Sequence, residues 1–141
     1  MKIVFKLVTS GILSGLVLGV FLKVVEEVSE KTVYTLLLNI DYFPIIQYWK
    51  LSETVEFTLH IIVSVLFAAV LYFLFKQRNI HKKISAYIVG SIFVGGLLYL
   101  TTAFSDRTPV LTDSAAFIYW MVGHLIYGVI VGCLLSIKKK E

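Results

Sequence analysis

Five ionisable side chains in a strongly apolar sequence have the types and spacing to do chemistry: Lys23, Glu27, Glu56, His60 and His124. Lys23 and Glu27 are four residues apart, as are Glu56 and His60, so each pair shares one face of a helix. Histidine changes charge near neutral pH, and a neighbouring carboxylate or lysine can tune that change. These residues therefore predict a site that binds a proton, a metal ion or a small ligand.

The elements that position these residues must lie in a membrane. The chain has 141 residues, of which 58% are hydrophobic and 16% charged, with a mean hydropathy of +0.88. Soluble domains have roughly 25% charged residues. We expect a single integral membrane domain over 1–141, in the lipid bilayer. Ionisable groups inside a bilayer cost at least about 2.5 kcal/mol each, so they usually face the protein interior.

The hydropathy pattern predicts an all-α fold with four transmembrane helices. Their expected bounds are 3–25, 55–75, 84–104 and 115–137. The stretch 31–52 has apolar runs too short to cross and is interrupted by Pro44, so we expect an interfacial or re-entrant segment there. Asp113 or Ser114 is the expected N-cap of the last helix.

Glycines recur every four residues in the first and last spans. The first span has Gly11, Gly15 and Gly19, and the last has Gly128 and Gly132. Such small faces let helices pack closely, either within one chain or between chains. We therefore predict helix packing at these five glycines, with a homo-oligomer as one outcome.

The charged residues lie on opposite sides of the predicted spans. Nine of the thirteen basic residues fall on one side: Lys2, Lys6, Lys76, Arg78, Lys82, Lys83, Lys138, Lys139 and Lys140. Eight of the nine acidic residues fall on the other: Glu26, Glu27, Glu30, Asp41, Glu53, Glu56, Asp106 and Asp113. The positive-inside rule then places both termini in the cytoplasm. The basic excess follows from this topology and does not predict nucleic-acid binding.

In that topology the ionisable residues face a pocket in the outer half of the membrane. We expect His60 and His124 to titrate or to bind a ligand. Glu27 is predicted to be the counter-charge of Lys23, and Glu56 to orient His60. Taken singly, each residue also fits a plainer role, such as a snorkelling lysine or an interhelical hydrogen bond.

Three other functions stay open. The two histidines could ligate a haem, or with Glu56 a divalent metal. The protein could be a structural subunit that oligomerises through its glycine faces. An enzyme is disfavoured because the sequence shows no convincing nucleophile–base pair. The sequence also contains no GxxxxGK[ST], GxGxxG, CxxC or HExxH motif, so it does not predict nucleotide binding or a common zinc-hydrolase site.

Several short motifs resemble the YagU family of small bacterial inner-membrane proteins, which includes YqhR-like members. They are Gly11, Gly15, Lys23 and Glu27 in the first span, His60–Ala68 in the second and Gly123–Leu125 in the fourth. The resemblance implies a bacterial inner-membrane protein associated with acid tolerance. The proline- and arginine-containing segment that follows the first-helix glutamate in that family is replaced here by Val28–Thr35.

Overall fold

The computed structural model describes residues 2–40, 45 and 49–136, and this part of the chain is helical and contains no strand. The helices are α1 (Lys2–Ser29), α2 (Val33–Leu38), α3 (Glu53–Gln77), α4 (Ile84–Tyr99) and α5 (Ser114–Ser136). A 3-10 helix, Leu100–Phe104, continues α4 without a break.

Four of these helical segments are long and apolar enough to cross a membrane: α1, α3, α4 with its 3-10 extension, and α5. The prediction of an all-α, four-span membrane fold is confirmed, with bounds within a few residues of those expected. Between the first two spans, the structure shows the six-residue helix α2. Pro44 lies outside the described residues, so an interfacial or re-entrant course for 31–52 stays a prediction.

The first helix is the centre of the bundle. It packs against α3 on one side and α5 on the other, and α5 packs in turn against α4. By contrast, α3 and α4 contact each other sparsely. They meet near their connecting loop, where the rings of Phe75 and Tyr87 are 5.1 Å apart. Away from that loop the two helices diverge and leave a gap.

The glycines of α1 allow its close approach to α3. A Cβ built on Gly15 would lie 2.7 Å from Ser64 Oγ, and one on Gly11 would collide with the backbone of Val65. Gly19 faces α3 in the same way. All three glycines are buried, so this face is covered within the chain.

The glycines of α5 do the same for its contact with α4. A Cβ on Gly128 would lie 2.8 Å from Ile88 Cα, and one on Gly132 would lie 2.9 Å from Ile84 Cγ2. An interface between two chains through the five predicted glycines would therefore require these helix pairs to separate. Whether the protein forms a homo-oligomer stays open.

The short helix α2 is held over one end of the bundle by polar contacts. The carboxylate of Glu26 accepts hydrogen bonds from the backbone N–H and the hydroxyl of Thr35, both at 2.8 Å. Lys31 Nζ lies 2.8 Å from Asp113 Oδ2, which ties the α1–α2 connection to the start of α5. These contacts fix the cover of the cavity described below.

Asp113 has a second role as the N-cap of α5. Its Oδ1 accepts a hydrogen bond from the backbone N–H of Ala116 at 3.0 Å, and α5 begins at Ser114. The predicted cap is confirmed. The hydrogen bond from Lys31, aided by that from Ala116, lowers the pKa of Asp113 from its usual 3.8.

We expect Asp113→Asn and Asp113→Ala to separate these two roles. Asparagine keeps the cap and loses the ion pair, which is worth at most about 1 kcal/mol at a partly exposed site. Alanine loses both, and the lost cap adds about 1 kcal/mol of destabilisation. Thermal unfolding in detergent measures the difference, and equal losses in the two variants would show that the cap contributes nothing.

The difference in stability between wild type and Asp113→Asn should also depend on pH. A lowered carboxyl pKa means that the ion pair contributes fully above the ordinary value of 3.8 and is lost as the pH falls through the lowered pKa. The stability difference between wild type and Asp113→Asn should therefore shrink only in strongly acidic solution. A difference that shrinks near neutral pH would contradict this assignment.

Candidate functional site

A cavity of about 330 Å³ lies in the gap between α3 and α4. We call it the lateral cavity. Leu18 of α1 and residues of α5 form its back wall, and residues 36–40 at the end of α2 cover it. Its volume is at the lower end of the roughly 300–1,000 Å³ range of small-molecule sites.

The mouth of the lateral cavity is on the side of the bundle. Leu59 and Val63 of α3 and Leu98 of α4 line the cavity and are also exposed at the surface. In a bilayer these side chains face lipid tails. The cavity lies in the half of the bundle remote from the loop 78–83, because it takes its lining from the first half of α3 and the end of α4.

Three of the predicted site residues line this cavity: Glu56, His60 and His124. His60 Nε2 is 3.1 Å from the carbonyl oxygen of Gly15 on α1. The hydrogen bond that holds His60 is thus made to α1, whereas Glu56 was predicted to orient its ring. Glu56 instead stands at the rim, where it lines a second cavity as well.

His124 is enclosed by α4 and by its own helix, with 4% of its surface exposed. Its Nδ1 is 3.0 Å from the carbonyl oxygen of Trp120, and the two rings are 4.5 Å apart. Gly95 of α4 makes room for the ring, since a Cβ there would lie 2.5 Å from His124 Cγ. Trp120 Nε1 donates to the Gly95 carbonyl at 2.8 Å, which fixes this arrangement.

A buried hydrogen-bond network closes the floor of the cavity. Ser64 Oγ donates to the carbonyl oxygen of Gly11 at 2.7 Å, and Tyr127 OH donates to the carbonyl oxygen of Ser64 at 2.8 Å. These bonds join α1, α3 and α5. Ser64 is four residues after His60 and therefore shares its helix face, but no sequence pattern indicates that Tyr127 reaches across from α5.

The remaining predicted residues, Lys23 and Glu27, line a second, more polar cavity near the start of α3. We call it the ionic cavity. The direct ion-pair partner of Lys23 differs from the predicted Glu27: Lys23 Nζ lies 2.6 Å from Glu53 Oε1, and Glu27 acts on Lys23 only as a weaker additional charge. The glycine face of α1 brings the first turn of α3 beside Lys23, and Glu53 is in that turn.

Tyr34 of α2 completes the ion-pair cluster. Its hydroxyl donates to Glu53 at 3.0 Å, and its ring lies 5.4 Å below the Lys23 ammonium. Partial burial and the hydrogen bond to Glu53 raise the pKa of Tyr34 to about 12. Both charged partners remain well exposed, at 46% and 58% of their side chains, so solvent screens their attraction.

The five predicted residues thus divide between two cavities that share Glu56. Sequence reasoning missed Glu53 and Tyr34 in the ionic cavity and Trp120 and Tyr127 in the lateral cavity. A usable signal existed for Trp120, which is four residues before His124 and therefore on the same helix face. No local signal pointed to Glu53, whose role depends on how α1 and α3 pack.

The metal and haem alternatives gain nothing from this geometry. Among the described residues, no three His, Cys, Asp or Glu side chains come together as metal ligands. Glu56, His60 and His124 share a cavity without forming such a set. Axial haem ligation through His60 Nε2 would break its hydrogen bond to Gly15.

The chain matches no protein-family model, no curated protein and no solved structure. The resemblance to the YagU family therefore stays a prediction from short motifs.

Proposed function

We propose that this multi-pass membrane protein binds a small, mainly apolar molecule in the lateral cavity, which the ligand enters from the bilayer between α3 and α4. The observation that carries this proposal is a cavity of about 330 Å³ with two histidines in its lining. Its exposed rim residues, Leu59, Val63 and Leu98, open it on the side of the bundle.

The chemistry of the lining supports binding without catalysis. A hydroxyl nucleophile needs a base within hydrogen-bond reach. Ser64 Oγ instead donates to the carbonyl oxygen of Gly11 at 2.7 Å. Thr101 Oγ1 donates to that of Leu98 at 2.6 Å. Within the described part of the chain, neither hydroxyl is hydrogen-bonded to His60 or His124.

We further propose the bacterial inner membrane as the location, with both termini in the cytoplasm. Lys6 Nζ donates to the carbonyl oxygen of Leu135 at 3.1 Å, so α1 begins where α5 ends. The basic loop 78–83 is at this same end, since Ile84 contacts Gly132. The positive-inside rule assigns this end to the cytoplasm and the lateral cavity to the outer half.

Proton binding linked to acid tolerance is the other form of the sequence-based hypothesis, and it has its own test. If His60 and His124 bind the relevant proton, replacing both with glutamine removes any change in stability near neutral pH. A double variant that titrates like the parent protein excludes this role.

Tryptophan fluorescence provides a direct test of ligand binding. The chain has two tryptophans, and Trp120 lines the lateral cavity. In a Trp49→Phe protein in nanodiscs, 2-(4-bromophenyl)ethanol bound in the cavity should quench the fluorescence of Trp120, because bromine quenches at short range. The quenching should saturate once the lateral cavity of every chain is occupied. Quenching that rises linearly with the concentration of the probe would mean simple partition into lipid and would contradict the proposal.

Two neighbouring leucines of α4 provide the matched controls. Leu98 lines the cavity, whereas Leu97 is exposed and does not. Leu98→Phe adds volume at the mouth and should weaken saturable quenching about tenfold or more, since several contacts with the probe are lost. Leu97→Phe should leave quenching unchanged. Equal effects of the two changes would place the bound probe elsewhere.

A further inference from the structure

Most hydrogen-bond donors in the lining of the lateral cavity donate to main-chain carbonyl oxygens. Six lining side chains show this: His60, Ser64, Thr101, Trp120, His124 and Tyr127. A carbonyl oxygen can only accept. The cavity that these residues surround is therefore rich in acceptors and poor in donors. Asn39, whose amide can do both, is the exception in this lining.

The tautomer of His60 follows from its partner. Nε2 is 3.1 Å from the Gly15 carbonyl oxygen, so Nε2 carries the proton in the neutral ring. Nδ1 is then an acceptor. It has no hydrogen-bond partner among the described residues, and it is not fully enclosed by protein.

His124 has the opposite tautomer for the same reason. Its Nδ1 is 3.0 Å from the Trp120 carbonyl oxygen, so Nδ1 carries the proton and Nε2 accepts. This Nε2 has no hydrogen-bond partner within the described part of the chain and is not fully enclosed. Since His124 is 4% exposed and lines the cavity, the cavity is where Nε2 can find a partner.

The charge at the rim agrees with these acceptors. Glu56 lines the lateral cavity, whereas the cations Lys23 and Arg107 line only the ionic cavity. An anionic ligand would meet acceptor nitrogens and a carboxylate of its own charge, whereas a cationic donor is compatible with both. Burying an ammonium also costs less when a carboxylate is near.

We infer that the ligand of the lateral cavity is a small apolar molecule with an amine head group, which donates hydrogen bonds to His60 Nδ1 and His124 Nε2 near the Glu56 carboxylate. This inference rests on the proposed function and specifies its ligand class. A neutral alcohol offers one donor and no charge, and it should bind more weakly. A carboxylate offers no donor and carries a negative charge, like Glu56, so it should bind weakest.

Three probes with the same apolar body test this order. They are 2-(4-bromophenyl)ethylamine, 2-(4-bromophenyl)ethanol and 4-bromophenylacetate. Each is titrated into the Trp49→Phe protein in nanodiscs made from lipids without net charge. At about pH 8 the amine and the carboxylate are both ionised and histidine is neutral. The saturable part of Trp120 quenching should give the amine a dissociation constant about tenfold or more below that of the carboxylate.

Glu56→Gln is the matched variant, because it removes the charge and keeps the shape. It should weaken amine binding several-fold and alcohol binding much less, and the retained alcohol binding shows that the site is intact. Equal binding of all three probes, or tightest binding of the carboxylate, overturns the inference while the proposed function stands. If no probe gives saturable quenching that Leu98→Phe weakens, the proposed function itself fails.

Discussion

Replacing Gly128 with alanine is expected to destabilise the protein by about 1–3 kcal/mol, because overpacked helix contacts force backbone shifts. The new Cβ would lie 2.8 Å from Ile88 Cα and 2.9 Å from the Tyr87 carbonyl oxygen. Both atoms belong to the main chain of α4 and cannot move by a change of rotamer. Reversible unfolding in mixed detergent micelles measures the loss.

Gly96 is the matched control on the facing helix. The nearest neighbour of a Cβ there would be Met121 Cε, at 4.0 Å, which is an ordinary contact at the tip of a flexible side chain. Gly96→Ala should be neutral or stabilising by up to about 1 kcal/mol, since alanine favours helix. A small effect of Gly128→Ala, equal to that of Gly96→Ala, would mean that α4 and α5 do not pack through this glycine.

The oligomeric state should be recorded for the same variants. In this fold Gly128 contacts α4 of its own chain. The loss therefore appears as lower stability of each chain, at any protein concentration. A Gly128→Ala protein that keeps its stability but changes from dimer to monomer would instead support the structural-subunit hypothesis.

The second large effect is expected at Trp120, which is 2% exposed and forms the wall behind His124. Trp120→Ala should cost about 3–5 kcal/mol, the range for removing a large buried aromatic side chain. It also removes the hydrogen bond to Gly95. Trp120→Phe keeps most of the volume and should cost much less, about 1 kcal/mol for the lost hydrogen bond.

Trp49 is the control, because it is the other tryptophan of the chain and is 60% exposed. Trp49→Ala should change stability by less than about 0.5 kcal/mol. Unfolding in mixed micelles compares the three variants. Similar losses at both tryptophans would contradict the burial of Trp120 and, with it, the wall of the lateral cavity.

The fold could be predicted because the strongest signals act locally. Four apolar stretches of membrane-spanning length and an Asp before the last helix each determine a structure without reference to the rest of the chain. The glycine spacing also indicated close helix contacts. It could not show which helix fills each glycine face, because a small face fits another chain as well as its own.

The candidate site could be predicted only in part, since it depends on packing between distant segments. Glu27 was expected to pair with Lys23 because they are four residues apart, yet the position of α3 gives Lys23 a partner 30 residues away, Glu53. The histidines were found because their type is rare in a membrane. The tautomer of His60 depends on the carbonyl group of Gly15 on α1, which only the folded structure brings into range.

A crystal structure of the protein with 2-(4-bromophenyl)ethylamine, read through the anomalous scattering of bromine, tests the central claim most directly. We predict α3 and α4 diverging from the loop 78–83, with the bromine peak between Val63 and Leu98 and the amine near His124. Bromine found only on outer helix faces, or α3 and α4 packed together along their length, would contradict the account.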